Sequence, residues 1–253
     1  MSTIIGGFGK GVDGSVSINF GTSGGKNCSK RCRHRSDFKG KNATNACYAQ
    51  AIEKRPDRQQ LLAKLQRHDK MPAALVCGSA LLELQALQLR GIVPPWVRFS
   101  TSGSLPMLGD ATNGFRTQLR ALVSWIVYYQ IPVHLPIETA GKADFYRTIV
   151  GDIVCVRESL QTVGSHQTAG GAVSWVAGDD IVNGKAIFLR RIERARKECK
   201  ERTAATGRKA IVCPAIVASF KQRLGAGHNP LAKCGSCKAC AIGTIDVCYP
   251  KHK

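Results

Sequence analysis

The sequence predicts an α/β protein, a TIM-like (β/α) barrel, incomplete or distorted, with basic cysteine-rich segments toward both ends. Three observations point there. Short apolar runs alternate with helical patterns along most of the chain. The runs are nearly continuous, as expected of parallel strands buried on both faces. Seven of them stand against the eight strands of a full barrel.

The elements follow in order. Residues 16–20 alternate like a strand and run into Gly21-Thr22-Ser23-Gly24-Gly25, a loop of small residues. A helical pattern covers 51 to about 66, and a longer one covers 73–90, with Leu81, Leu84 and Leu87 three residues apart and Gly91 as its stop. Further strands are expected at 96–100, 132–137, 153–156, 172–176, 186–189 and 210–213. The intervening helices are expected at 112–129, 142–150 and 191–206. A single barrel-like domain over 1–253 then carries a basic, cysteine-containing insertion at 21–70 and a basic, cysteine-rich segment at 207–253.

Charge is unevenly placed. The 253 residues carry a formal charge of +20. Residues 26–70 hold 13 Lys and Arg against 4 acids, and residues 185–253 hold 16 against 4. The stretch between, 71–184, holds 7 against 8. A need for solubility does not predict such segregation; a polyanionic partner does, because clustered cations attract phosphate chains and release their counterions. A nucleic acid is the expected partner. At 6% aromatic residues, a stacking platform for single strands is not indicated.

No stretch approaches the roughly 18 consecutive apolar residues of a membrane span. The first residues lack a basic stretch leading into an apolar one, so secretion is not expected. A reducing cytoplasm is. There, eleven cysteines read as thiols or metal ligands rather than disulfides. Cys77, Cys155 and Cys199, each alone in an apolar or helical stretch, read as small buried hydrophobes.

The strongest motif is Cys234-Gly-Ser-Cys237-Lys-Ala-Cys240. Three thiols this close favour one metal centre, with Cys213 or Cys248 as fourth ligand. Zn2+ would take four sulfurs in a closed tetrahedral site, and a 4Fe-4S cluster would accept the same set. Lys233 and Lys238 help to offset the thiolate charge, and Lys238 is also placed to touch phosphate. A second, weaker set is Cys28, Cys32, His34 and Cys47. Around it Lys30, Arg31, Arg33, Arg35, Lys39 and Lys41 look like contacts to a phosphate backbone, positioning a nucleic acid without reading its sequence.

In a barrel, catalytic groups sit just past the C-terminal ends of the strands. Arg98 and Ser102 belong to a strand and polar loop suited to a phosphate or base edge. Glu138, Glu158 and Asp179 each follow an expected strand. Carboxylates that converge on one pocket split their pKa values, giving an acid and a nucleophile or base. Walker and H-E-x-x-H motifs are missing from the sequence, which disfavours nucleotide hydrolysis and zinc peptidase chemistry.

Cys28, Cys32 and Cys47-Tyr48-Ala49, then Val97-Arg98-Phe99 leading to Ser102-Gly103, then Ile211-Val212-Cys213-Pro214 and the C-x2-C-x2-C run resemble the phage gene product 88 family, in order along nearly the whole chain. That family looks related to DNA 7-deazaguanine transglycosylases, themselves similar to tRNA-guanine transglycosylases, which are barrel enzymes with a cysteine-bound zinc. The resemblance implies base exchange: a carboxylate attacks C1′ of a deoxyguanosine, guanine leaves, and a 7-deazaguanine such as preQ0 enters, the target base being extruded from the stack. One position departs. Ser104 stands where the family pattern leads one to expect an acid, so Glu138, Asp179 or Asp110 must take that role, or the chemistry has changed. Two other readings remain: a metal-stabilised nucleic-acid-binding protein without catalysis, and a radical-SAM-like iron-sulfur enzyme.

Overall fold

In a computed structural model, residues 5–7, 16–22, 53, 55–99, 105–106, 111–137, 139–160, 167, 171–177, 186–223 and 237–250 are described. They show an α/β protein whose chain divides into two units, 1–154 and 155–253.

The first unit holds β1 (Ile5–Gly7), β2 (Val16–Ile18), β3 (Val97–Phe99) and β4 (Val133–Ile137). β1 pairs antiparallel to β2, while β2, β3 and β4 run parallel in that order. Register aligns Val16 with Val97 and Val133, and Ser17 with Arg98 and His134. Because side chains alternate along a strand, the valine row and the polar row lie on opposite faces.

Among the described residues this unit also holds the helices α1 (Gln59–Lys70), α2 (Ala73–Leu89), α3 (Asn113–Tyr128) and α4 (Ala140–Val150). Of the helix expected from residue 51, Glu53 is helical and Gln59–Lys70 follows a 3-10 turn over Pro56–Arg58, while 51, 52 and 54 lie outside the described residues. Proline suits a first turn and disfavours helix before it. α2 buries Val76, Cys77, Ala80 and Leu84, one stripe at helical spacing, and packs along α3. α3 and α4 begin on threonine caps: Thr112 Oγ1 accepts from Phe115 N at 3.2 Å, and Thr139 Oγ1 from Lys142 N at 3.4 Å. Phe115 joins Phe20 to Tyr146 in an edge-to-face chain, both centroid distances being 6.2 Å. The Phe20 ring thus ties the valine-bearing face to α3.

The second unit is a parallel sheet in the order β5 (Val156–Leu160), β6 (Val173–Val176), β8 (Ile245–Tyr249), β7 (Lys209–Val212). The last strand lies between β6 and β7, so chain order and spatial order part here. α5 (Ala186–Thr206) joins β6 to β7, and α6 (Pro214–Arg223) precedes β8. Ala195 and Cys199 of α5 pack with Val173, Trp175 and Cys248 on one face. Val247, Ile211 and Ile245 pack with Cys213, Cys237 and Cys240 on the other.

Three local expectations change. Residues 186–189 form the first turn of α5 rather than a strand. A four-residue apolar run suits either element, and here Phe188 sets the spacing that Ile192, Ala195 and Cys199 continue. The strand expected at 153–156 is β5, displaced toward the C-terminus by a 3-10 turn, Gly151–Ile153, that opens on Gly151 at φ 62°. β1, β8 and α6 are further elements that the sequence reading did not contain.

Candidate functional site

Two places gather polar chemistry. The first is the row Ser17, Arg98 and His134 across β2, β3 and β4, with Asn19 two residues beyond Ser17 on the same face. Ser17, Asn19 and His134 are buried and Arg98 is half-buried. Asn19 Nδ2 donates to Ser17 Oγ at 3.3 Å. Burying such groups without hydrogen bonds costs several kcal/mol, so central parallel strands seldom carry them in register. The sequence held a signal for this row: Val-Ser-Ile-Asn-Phe, Val-Arg-Phe and Val-His-Leu all alternate apolar with polar.

The chain leaving β2 is held firmly. His68 Nδ1 bonds the Asn19 carbonyl at 2.8 Å, and Asp69 Oδ2 accepts from the Thr22 hydroxyl at 2.6 Å and from its N–H at 3.2 Å. Gly21, at φ 134°, lies so close beneath Asp69 that a Cβ there would collide with the carboxylate. Burial holds the His68 pKa below that of a free imidazole, against the raising effect of its bond to Asn19. Beyond β3, Lys142 Nζ donates to the Leu105 carbonyl at 2.6 Å and the Tyr146 hydroxyl to that of Pro106 at 2.9 Å. Helices thus fasten the exits of two neighbouring parallel strands, where α/β proteins place their ligands.

The second place is the cysteine turn of the second unit. Cys213, Cys237 and Cys240 share one apolar cluster, and Cys240 Sγ lies 3.1 Å from the Tyr249 hydroxyl. Between Cys237 and Ala239, Lys238 adopts the left-handed conformation at φ 49° with its side chain exposed. A non-glycine residue there costs of order 1 kcal/mol and needs support. Arg157 supplies it. Its fully buried guanidinium reaches the carbonyls of Ala239 (3.2 Å), Cys240 (3.2 Å), Ile242 (2.8 Å), Ile245 (2.7 Å) and Val173 (2.6 Å). A cation is thereby fixed under a turn that presents thiols. Asp246, also fully buried, accepts from Arg202 Nε at 2.8 Å, from Arg208 Nε at 3.1 Å and from the Val173 N–H at 3.0 Å.

Strand alternation separates the two candidate fourth ligands. Tyr249 and Val247 face the Cys213 cluster, while Cys248 faces the other way and packs with Cys199. The hydrogen bond that the Cys248 thiol donates to Cys199, together with burial, pushes its pKa far above the ordinary value. Burial alone does the same to Cys77. Among the described residues, no group of three or more His, Cys, Asp or Glu side chains is gathered closely enough to hold a metal ion.

Of the expected carboxylates, Glu158 lies inside β5, opposite Val173 and with its N–H on the Ala172 carbonyl at 2.9 Å, rather than beyond the strand end. Glu138, Asp179 and Asp110 lie outside the described residues, as do Ser102, Cys234 and the whole set Cys28, Lys30, Arg31, Cys32, Arg33, His34, Arg35, Lys39, Lys41 and Cys47. No helix among the described residues is long and apolar enough to cross a membrane. Comparisons with protein-family models, with curated proteins and with solved structures found no match.

Proposed function

We propose that the chain is a nucleic-acid-modifying enzyme of the base-exchange type, which replaces guanine in double-stranded DNA by a 7-deazaguanine such as preQ0. The observation that carries the reading is the coincidence of surplus positive charge with the two cysteine groups, around a middle stretch of 7 basic and 8 acidic residues. The similarity to phage gene product 88 proteins supplies the reaction, and a distorted TIM-like barrel is the architecture that goes with it. In this reading the row Ser17, Arg98 and His134 offers hydrogen bonds to the edge of an extruded base. One of Glu138, Asp179 and Asp110 attacks C1′.

The donor set suits a metal. Cys213, Cys234, Cys237 and Cys240 are the thiols we assign to Zn2+, with a 4Fe-4S cluster as the alternative. Cys213, Cys237 and Cys240 already share a cluster, and Arg157 offsets thiolate charge from below. A bound zinc would supply structural bracing of the basic C-terminal segment. Metal analysis of anaerobically purified protein separates the two, since an iron-sulfur protein is brown and a zinc protein colourless.

The enzymatic test is incorporation of labelled preQ0 into duplex DNA by the wild type, by Glu138→Gln and by Asp179→Asn. Incorporation by the wild type and its loss in one variant is the expected result. A wild type that binds DNA and incorporates nothing removes the enzyme reading and leaves a metal-stabilised DNA-binding protein, which Ser104 at the expected acid position favours. Two variants that both match the wild type remove only their residues from the site.

A further inference from the structure

An open groove runs between α3 and α4 of the first unit, lined by Asn113, Arg116, Thr117, Arg120, Ser124 and Thr148 among others. Neither basic arm contributes to it, since all of these residues belong to the stretch whose formal charge is close to neutral. Its two arginines are built in. Arg116 Nε donates to the Ala111 carbonyl at 3.3 Å, and its guanidinium carbon lies 5.0 Å from the centre of the Phe145 ring. Arg120 Nε donates to the Ile149 carbonyl at 2.9 Å. Each side chain is therefore held through Nε, and the terminal nitrogens of both have no hydrogen-bond partner among the described residues.

Four residues apart on one helix, the two guanidinium groups stand on the same face about 5–6 Å apart at Cβ. The hydroxyls of Thr117 and Ser124 line the groove with them, and among the described residues no acidic side chain does. α3 has no acid anywhere along Asn113–Tyr128. Asn113 and Arg116 occupy its first turn, where the helix field favours anions.

We propose that this groove takes the phosphodiester backbone of a nucleic acid, one phosphate at Arg116 and another at Arg120. The inference rests on the nucleic-acid reading above and adds a track outside the cysteine segments. Several features favour a phosphate chain. Prepositioned guanidinium forks with two open nitrogens match phosphate oxygens. The flanking hydroxyls donate to the same oxygens, and nothing encloses a base, so contact is independent of sequence. Ordering entropy is already reduced by the Nε bonds and the Phe145 ring.

The test measures binding of a short mixed-sequence duplex to the full chain across a salt series. Arg116→Gln/Arg120→Gln is compared with the wild type and with Arg116→Lys/Arg120→Lys. Loss of two phosphate contacts lowers the slope of log K against log salt by about 1.8 and low-salt affinity by about tenfold, while the lysine pair keeps most of the slope. An unchanged urea midpoint shows that the fold is intact. A wild type that binds DNA with a double glutamine variant of equal slope and affinity overturns the groove alone. A wild type that binds no duplex at low salt overturns the nucleic-acid reading and the groove with it. Displacement of DNA from this groove by polyglutamate as effectively as by unlabelled duplex overturns the choice of phosphate.

Discussion

The two units fasten their strand ends differently. In the second, full charges are buried: Arg157, Arg202 and Asp246 are inaccessible, and guanidinium groups spend their donors on one carboxylate and on backbone carbonyls. In the first, the ties are a buried imidazole, a tyrosine hydroxyl and the buried Lys142 ammonium on carbonyls and a threonine on a carboxylate, and none of them pairs a cation with an anion. The exposed Arg116 and Arg120 spend only Nε there. The contrast teaches that counted charge is not available field. Part of the basic excess of residues 185–253 is consumed inside the fold by Asp246, whereas two arginines in the nominally neutral stretch remain open to a ligand.

The largest expected effect breaks the charged tie. Asp246→Asn keeps the shape but strands Arg202 in the interior, and losing one partner of a buried ion pair costs about 3–5 kcal/mol. Urea unfolding checks it. Replacing both partners by apolar residues, Asp246→Leu with Arg202→Met, should recover only part of the loss, because the desolvation penalty of both ions goes but the Val173 N–H and Arg208 lose their acceptor. A single variant within about 1 kcal/mol of the wild type would make the buried charges no stronger than a surface pair and erase the contrast.

How far the sequence carried depended on the range of the interaction. Period-two alternation and three- to four-residue spacing are local, so β2, β3, β4, α2 and α3 stand where the pattern placed them within a residue or two. The C-x2-C-x2-C run is local too, and Cys237 and Cys240 do share a cluster with Cys213. The Arg157 clamp was not legible: residue 157 meets carbonyls more than 80 positions later, at Ala239, Cys240, Ile242 and Ile245. Asp246, one of 4 acids in residues 185–253, carried no signal of its burial for the same reason. Glu158 shows the cost of a small boundary error, since moving the strand by three residues turns a strand-end carboxylate into a mid-strand one. The arginines of the groove were hidden by averaging, because segment totals conceal two cations set among uncharged neighbours on one helix face.

A smaller effect sharpens the comparison from the uncharged side. Thr112→Ala removes the Oγ1 that accepts from Phe115 N, leaving that N–H without its cap. About 1 kcal/mol should be lost, with no change in salt dependence, because the bond is neutral. The cap also positions the first turn of α3, so DNA affinity should fall modestly beside it.

The smallest effect is a slope. His68 is held below its ordinary pKa of 6.5 chiefly by burial, with Lys64 and Arg67 adding to the shift and Glu83 and the Asn19 carbonyl opposing it. A base with a depressed folded-state pKa binds protons more readily when unfolded, so stability rises with pH in that window. The contribution is therefore complete above about pH 6.5 and declines as pH falls toward the folded-state value. His68→Gln cannot titrate. Its stability, lower overall because the fit to Asn19 is poorer, should vary less between mildly acidic and neutral pH than that of the wild type. Equal slopes for the two proteins would mean that the imidazole tie at the end of β2 is as indifferent to protonation as a solvent-exposed histidine, and the contrast between this neutral tie and the paired charges of the second unit would lose its clearest support.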